Sequence, residues 1–326
     1  KKKKKNWVIP DPVVQFRRQM LPAGRSFIYT LWFGVFFCAY CIIQQSPATR
    51  SRGTICITGC SRGIGAEIAR VLGSTVHEEQ VQLIATARDV SYLEGSQIIN
   101  RNAEHIHIQE LDVSDPSSIS LFCKWVKQEF GSIDCLINNA GICIQGNSRS
   151  TLLETLATNF WGPLNLTKEL LESFRTDINK GSDAKMIVIN ISSGEGELCY
   201  LSSNIEKQFR SSQTVKDLMQ AVKDLEFGHD GNTELAFGPT PAYSVSKAAL
   251  NAAVRLLHLE ETRLRITAVC PGDVQTEMVS CRDMLGDKVN TPQEAALNIL
   301  GVLENLQKGN RTMEGRFCRG EEILPF

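Results

Sequence analysis

From Thr54 onward, short runs of β-branched and apolar residues alternate with stretches whose apolar positions recur at helical spacing. Six of the runs read as strands: Thr54–Thr58, Gln82–Ala87, Ile106–Leu111, Cys135–Asn138, Met186–Ser192 and Arg265–Cys270. This alternation predicts an α/β fold, a doubly wound parallel sheet of Rossmann type forming a single domain over residues 51–326. One stretch breaks the rhythm. Between Ser193 and Tyr243 come a polar segment, then Val215, Leu218, Met219, Val222 and Leu225 at helical spacing, then a loop rich in Gly, Asn and Pro. The pattern predicts an amphipathic helix within an insertion over about 197–240, beside whatever site Ser193 and Tyr243 define.

The amino end follows a different pattern. Twenty-four residues between Arg25 and Arg50 carry no charge, and the 17 residues Phe27–Ile43 are almost wholly apolar. At 1.5 Å per residue these lengths correspond to roughly 26 and 36 Å, which bracket the ~30 Å hydrocarbon core of a bilayer. The segment at about 26–45 is therefore expected to span a membrane once, as the apolar helix preceding the domain. A cleaved signal peptide or an apolar hairpin packed on the domain are the alternatives. The expected localisation is the endoplasmic reticulum or another endomembrane. Lys1–Lys5, Arg17, Arg18 and Arg25 precede the segment, against Arg50 and Arg52 after it, which favours a cytosolic amino end. Counting from Met20 reverses the balance, so the side occupied by the domain stays open.

Composition adds exclusions. With 42% hydrophobic residues and 24 glycines among 326 residues, collagen-like, disordered and low-complexity chains are ruled out. The net charge of −1 hides an asymmetry, because residues 1–50 hold nine of the 35 basic residues and one of the 36 acidic ones. The remainder has 26 basic against 35 acidic residues, a net charge of −9, which argues against a nucleic-acid partner. The eleven cysteines are dispersed, and Cys56, Cys135 and Cys270 sit in strongly apolar runs, so they read as reduced thiols. Cys38 and Cys41 lack partner ligands and read as small packing residues. His105 and His107 share one strand face, yet nothing else supplies ligands, so partly exposed strand residues are expected and no metal site.

Chemistry concentrates at three places. Thr58-Gly59-Cys60-Ser61-Arg62-Gly63-Ile64-Gly65 follows the first strand and opens a helix, the setting in which a glycine-rich turn binds a dinucleotide pyrophosphate. Gly59 permits the tight turn, Gly63 the close approach of phosphates and Gly65 close helix packing, while the helix start supplies N–H donors and a positive dipole end. The second strand ends at Arg88, where an NAD site would place a carboxylate. Arg88 and Arg62 together would clamp a 2′-phosphate, which predicts NADP(H). Tyr243 and Lys247, at i and i+4 of an Ala- and Leu-rich helix, put phenol and ammonium on one face. Lowering the phenol pKa from about 10 to about 7 would need roughly 4 kcal/mol, which Lys247 and an oxidised nicotinamide in a desolvated cleft would supply.

The glycine turn, Asn138-Asn139-Ala140-Gly141, Asn159, Ser193, the Tyr243/Lys247 pair and Pro271-Gly272 occur in the order of the short-chain dehydrogenase/reductase family, which residues 52–326 resemble. The long insertion, Thr86-Ala87-Arg88-Asp89 and the ending Gly315–Phe326 are most similar to the carbonyl reductase branch. The resemblance implies an NADPH-dependent reductase acting on a small aldehyde, ketone or quinone. Tyr243 would be the general acid, and Lys247 would hold the ribose and depress the Tyr pKa. Ser193 would bind the substrate oxygen, and Asn159 would anchor a water joining Lys247 to solvent. Asp112 and Val113 would meet the adenine, Asn139 the adenosine side, and Val274 and Thr276, beyond Pro271, the carboxamide. Ser192, on the other strand face, is assigned a structural role. The branch also implies a monomer, its inserted helix covering the surface through which relatives associate.

Two departures bear on substrate. Asp273 follows Pro-Gly where that branch often has an aromatic residue, and Gly194-Glu195-Gly196-Glu197 replaces small apolar residues. Acidic side chains at the mouth favour a neutral or cationic carbonyl compound over a carboxylate. Alternatives to the reductase are a membrane-bound retinoid or steroid alcohol dehydrogenase, and a non-catalytic NADP(H)-binding scaffold protein.

Overall fold

A computed structural model describes residues 53–75, 81–94, 104–177, 180–181, 183–231, 234–278 and 289–326. The expected membrane segment at about 26–45, with Cys38 and Cys41, lies outside the described residues. Among those described, no helix is long and apolar enough to cross a membrane.

The described residues form eight strands: β1 (Gly53–Ile57), β2 (Val81–Ala87), β3 (Ile106–Glu110), β4 (Cys135–Asn138), β5 (Met186–Ile191), β6 (Leu264–Val269), β7 (Phe317–Arg319) and β8 (Glu322–Ile323). They form one sheet in the order β3-β2-β1-β4-β5-β6-β7-β8, parallel throughout except that β8 returns antiparallel to β7. Each of the six expected strands appears within a residue of its expected limits. The last two were not expected. They are three and two residues long, too short to print a periodicity on the sequence; β7 is held by pairing to β6 and β8 by pairing to β7.

The helices are α1 (Gly63–Thr75), α2 (Ser91–Glu94), α3 (Pro116–Phe130), α4 (Arg149–Leu156), α5 (Gly162–Thr176), α6 (Ser203–Ser211), α7 (Val215–Gly228), α8 (Pro241–Glu260) and α9 (Pro292–Gln307). Their limits follow from local chemistry. Asp115 caps α3 by accepting from the Ser117 N–H, with Pro116 in the first turn and Gly131 at φ 76° closing the end. Thr291 and Glu294 form a capping box on α9, and Thr214 and Asp217 do the same on α7.

Period-two alternation of the central strands feeds two apolar layers. Ile55 and Ile57 of β1 join Ile68 and Leu72 of α1 and Ile299 and Leu303 of α9, whereas Cys56 joins Phe122 of α3, Leu170 and Phe174 of α5 and Ala249 of α8. The strand order reverses between β1 and β4, which opens a crevice outside the carboxyl ends of the parallel strands, where such sheets bind ligands.

The insertion holds the expected helix, α7, with Val215, Leu218 and Val222 buried in the second layer. Glu260 accepts from the Val215 N–H at 2.7 Å, and Trp161 Nε1 donates to Glu226 at 2.7 Å, fixing α7 across α8 and the start of α5. The preceding segment, read as polar, also forms a helix, α6. Its two buried anchors, Ile205 and Phe209, stand one turn apart among exposed polar residues, a stripe too narrow to register as amphipathic.

The histidines differ from expectation in one respect. His105 is buried rather than partly exposed, while His107 lies within hydrogen-bonding distance of Gln82 (2.6 Å) and packs edge-on against Phe130. The eight described cysteines are unbridged, with Cys56, Cys135 and Cys270 buried as read.

Candidate active site

The glycine turn, Arg88, Asp112, Asn139, Ser193 and Pro271 lie just beyond strand ends, with Tyr243 and Lys247 in the first turns of α8 and Asn159 in a turn between α4 and α5. The glycine turn leaves β1 with Gly59 at φ 70° and Gly63 at φ 62°, conformations that an L side chain rarely adopts. The turn is tied to its neighbours: Thr58 Oγ1 accepts from the Asn139 and Ala140 amides, both at 3.0 Å, and the Cys60 N–H reaches the Thr86 carbonyl at 2.8 Å. A Cβ on Gly59 would meet the Ala140 backbone at 2.8 Å, and one on Gly65 would strike the Asn139 amide and the Gly59 carbonyl. Gly63 faces Thr276 instead, 3.6 Å from where a Cβ would stand. Ser61 and Ile64 are half-buried at the α1 N-terminus. The open helix start, the glycine backbone and the Thr276 wall fit the pyrophosphate of a dinucleotide.

Asn139, expected on the adenosine side of the cofactor, is bonded to the glycine turn. Its Nδ2 donates to the Thr58 carbonyl at 2.9 Å and the Gly59 carbonyl at 3.0 Å, so the side chain holds the glycine turn rather than standing free for the adenosine. Asp112 is similarly engaged, accepting from the Ser114 amide and hydroxyl at 2.9 and 2.6 Å, while buried Val113 packs against Gly162. Arg88 is exposed at the end of β2, and Arg62 pairs with Glu277 at 3.3 Å with both side chains largely in solvent. Beyond β6, Gly272 takes φ 77°, Asn290 donates to the Pro271 carbonyl at 3.1 Å, and Val274 is buried in a bridge with Asn290.

Ser193, two residues beyond β5, and Tyr243, in the first turn of α8, are electrostatic neighbours. Lys247, one turn along α8, is buried with Nζ 5.6 Å from the Tyr243 ring centroid, and donates to the Ile191 carbonyl at 2.8 Å. Asn159 is buried in a π-helical turn, Ala157–Trp161, between α4 and α5; such wide turns recur at functional sites. Its amide accepts from Ile142 N–H at 2.9 Å and donates to the Ile142 carbonyl and Ser246 Oγ at 2.8 and 3.0 Å. This brings the loop after β4 alongside Lys247. Ser192 is buried in the sheet.

Burial dominates the electrostatics. It pushes the Tyr243 phenol well above its ordinary range, aided by Cys143, Glu195 and Cys270 and opposed by Ser193. It also pushes the Lys247 amine down to about 8. The expected depression of the phenol by Lys247 is therefore absent from the protein alone. Desolvation of the phenol outweighs whatever the neighbouring cation supplies in the protein alone.

Three neighbours were not assigned a role from the sequence. Cys143, on the loop after β4, has its thiol pushed up to about 11 by burial and Glu195. Glu195 accepts from Thr240 and Ser244. Arg319 of β7 lies near the Cys270 sulfur at 3.6 Å. Only Glu195 had left a signal, as a charge where the resembled branch has small apolar residues.

Residues 53–204 match the model of the short chain dehydrogenase family. The chain is 31% identical over 255 residues to (+)-neomenthol dehydrogenase of Arabidopsis thaliana, an alignment covering 68% of this chain and 83% of that protein. It belongs to the short-chain dehydrogenase family. Salutaridine reductase from Papaver somniferum superposes with a TM-score of 0.68 at 25% identity, covering 82% of this chain and 99% of that one. NADPH-bound carbonyl reductase from chicken fatty liver superposes at 0.60 and 25% identity, covering 85% and 100%. The chain is thus an oxidoreductase of carbonyl reductase-like type.

Proposed function

We propose that the protein is an NADP(H)-dependent reductase that transfers hydride to the carbonyl of an aldehyde, ketone or quinone, with Tyr243 as general acid. The observation that carries this reading is the placement of half-buried Ser193 just beyond β5 beside buried Tyr243, with the Lys247 Nζ 5.6 Å from the Tyr243 ring, at the strand ends that also bear the glycine turn.

Bound nicotinamide would supply the hydride; the chain does the rest. The glycine turn and the α1 N-terminus receive the pyrophosphate, and Arg62 and Arg88 receive the 2′-phosphate. Ser193 and Tyr243 converge on the substrate oxygen, Ser193 holding it while Tyr243 delivers its proton. A phenol kept protonated by burial suits a donor of that kind. Lys247 is placed to hold the ribose and Asn159 to carry protons from solvent. The half-exposed Ser193 and the enclosed Tyr243 keep the reacting oxygen at the crevice mouth with the phenol behind it.

The segment at about 26–45 is proposed to anchor the domain to an endomembrane, and α7, packed over α5 and α8, to keep it monomeric. Protease protection in sealed microsomes tests the topology, and gel filtration tests the mass. Screening purified protein for NADPH oxidation with aldehydes, quinones, ketosteroids and retinal tests the activity. Nucleotide binding without turnover of any of them would leave a non-catalytic scaffold.

A further inference from the structure

We propose that Glu195 is a positioning residue, which locks the Ser193 loop onto the helix carrying Tyr243 and keeps a negative charge beside the phenol. The inference rests on the reductase reading above. Glu195 lies two residues after Ser193 in a single 3-10 turn, Gly194–Gly196, and three elements meet on it. Its backbone N–H donates to Ser193 Oγ at 3.3 Å. Its Oε2 accepts from Thr240 Oγ1 at 2.7 Å and from Ser244 Oγ at 2.9 Å, two residues almost wholly buried at the start of α8. Cys143, on the loop after β4, lies close enough to Glu195 and Thr240 to be influenced by both.

The contacts have a common geometry. Thr240, Ser244, Lys247 and Asn251 follow one another at spacings of four, three and four, a single stripe along α8. The turn lies flat on it: Asn251 Nδ2 donates to the Gly196 carbonyl at 3.1 Å, and a Cβ on Gly196 would meet Asn251 Nδ2 at 2.8 Å and the Lys247 backbone at 3.0 Å. Lys247 is part of this stripe and Tyr243 lies beside it. The distance from Ser193 to Tyr243 is thereby set by the Glu195 side chain as well as by the sheet.

A neutral amide would make the same two contacts, so the choice of a carboxylate needs a further reason. At the amino end of α8 the charge is favoured by the helix dipole. The groups facing the phenol are Cys143, Ser193, Glu195, Cys270 and Lys247. Among the described residues, Glu195 is the carboxylate that acts on the phenol, and its charge opposes phenolate formation. The consequence is a Tyr243 that keeps its proton to higher pH, which suits a donor to a carbonyl oxygen.

The test is the pH profile of kcat for carbonyl reduction at saturating NADPH. In Glu195→Gln, which keeps an acceptor for both hydroxyls, the alkaline limb should move to lower pH by about half a unit to one unit. Glu195→Ala should move it equally and also lower kcat a further ~10-fold, with NADPH affinity unchanged. Ser244→Ala, which loosens the lock and leaves the charge, should lower kcat without moving the limb. If Glu195→Gln and the wild type share one limb, the inference is overturned while the reductase reading stands, and this holds even if the alanine variant fails to fold. A wild type that turns over no carbonyl removes both.

Discussion

Gly65→Ala isolates the nucleotide-binding turn from the rest of the fold. A Cβ at position 65 would stand well under 3.0 Å from both the Asn139 amide nitrogen and the Gly59 carbonyl oxygen. Neither can yield freely, since Asn139 is held by two hydrogen bonds to the turn and Gly59 is itself backed against Ala140. Breaking the Asn139–Gly59 hydrogen bond costs about 1 kcal/mol, and overpacking a filled site costs about 1–3 kcal/mol more. A combined loss of about 2–4 kcal/mol lowers Tm by roughly 4–12 °C for a domain of this size. NADPH affinity should fall by more than stability does, because the displaced Gly59 carbonyl reshapes the pyrophosphate site. Thermal unfolding with and without NADPH measures both effects. A variant with wild-type Tm and an undiminished shift on adding NADPH would refute the reasoning.

Three further outcomes are expected. Tyr243→Phe should reduce kcat about 100-fold or more while NADPH binding, followed by protein fluorescence, is retained; wild-type turnover would remove Tyr243 from the mechanism. Burial lowers the Lys247 amine to about 8 in the protein alone, so it is cationic below that pH and neutral above it. An anionic nucleotide selects the cation, so Kd for NADPH should be nearly flat at neutral pH and rise several-fold on going from about pH 8 to about pH 9, a dependence absent from Lys247→Met. Arg88→Ala should lower kcat/KM for NADPH about 10-fold or more relative to NADH, and an unchanged ratio would take the 2′-phosphate away from this side chain.

The sequence displayed the sheet well because buried parallel strands are written as contiguous apolar runs, as in Ile55–Ile57 and Met186–Ile191, and little else in the chain resembles them. It displayed α7 because five apolar residues recur on one face. It did not display α6, whose two anchors are diluted by polar neighbours, or the short β7 and β8, of which β7 exists through pairing with β6 about 50 positions away and β8 through a tight return onto β7. The site divides in the same way. Gly59, Gly63, Ser193, Tyr243 and Lys247 were legible because their chemistry needs particular residues at fixed spacing. The commitment of the Asn139 amide to the turn, and the convergence of Cys143, Glu195 and Thr240 beside the phenol, depend on three strand ends meeting in space. No spacing along the chain reports that. The burial that raises Tyr243 was likewise invisible, since YxxxK states the presence of a cation but not how far water is excluded from it.

The central claim is that hydride passes from the nicotinamide to a carbonyl carbon held at Ser193 and Tyr243. Incubating the purified protein with NADPH deuterated at C4 and a carbonyl substrate from the screen, then analysing the alcohol by mass spectrometry, addresses it directly. The expected result is one deuterium on the carbinol carbon, formed at least 100-fold more slowly by Tyr243→Phe. Alcohol lacking deuterium, or bound NADPH that is never oxidised, would contradict it.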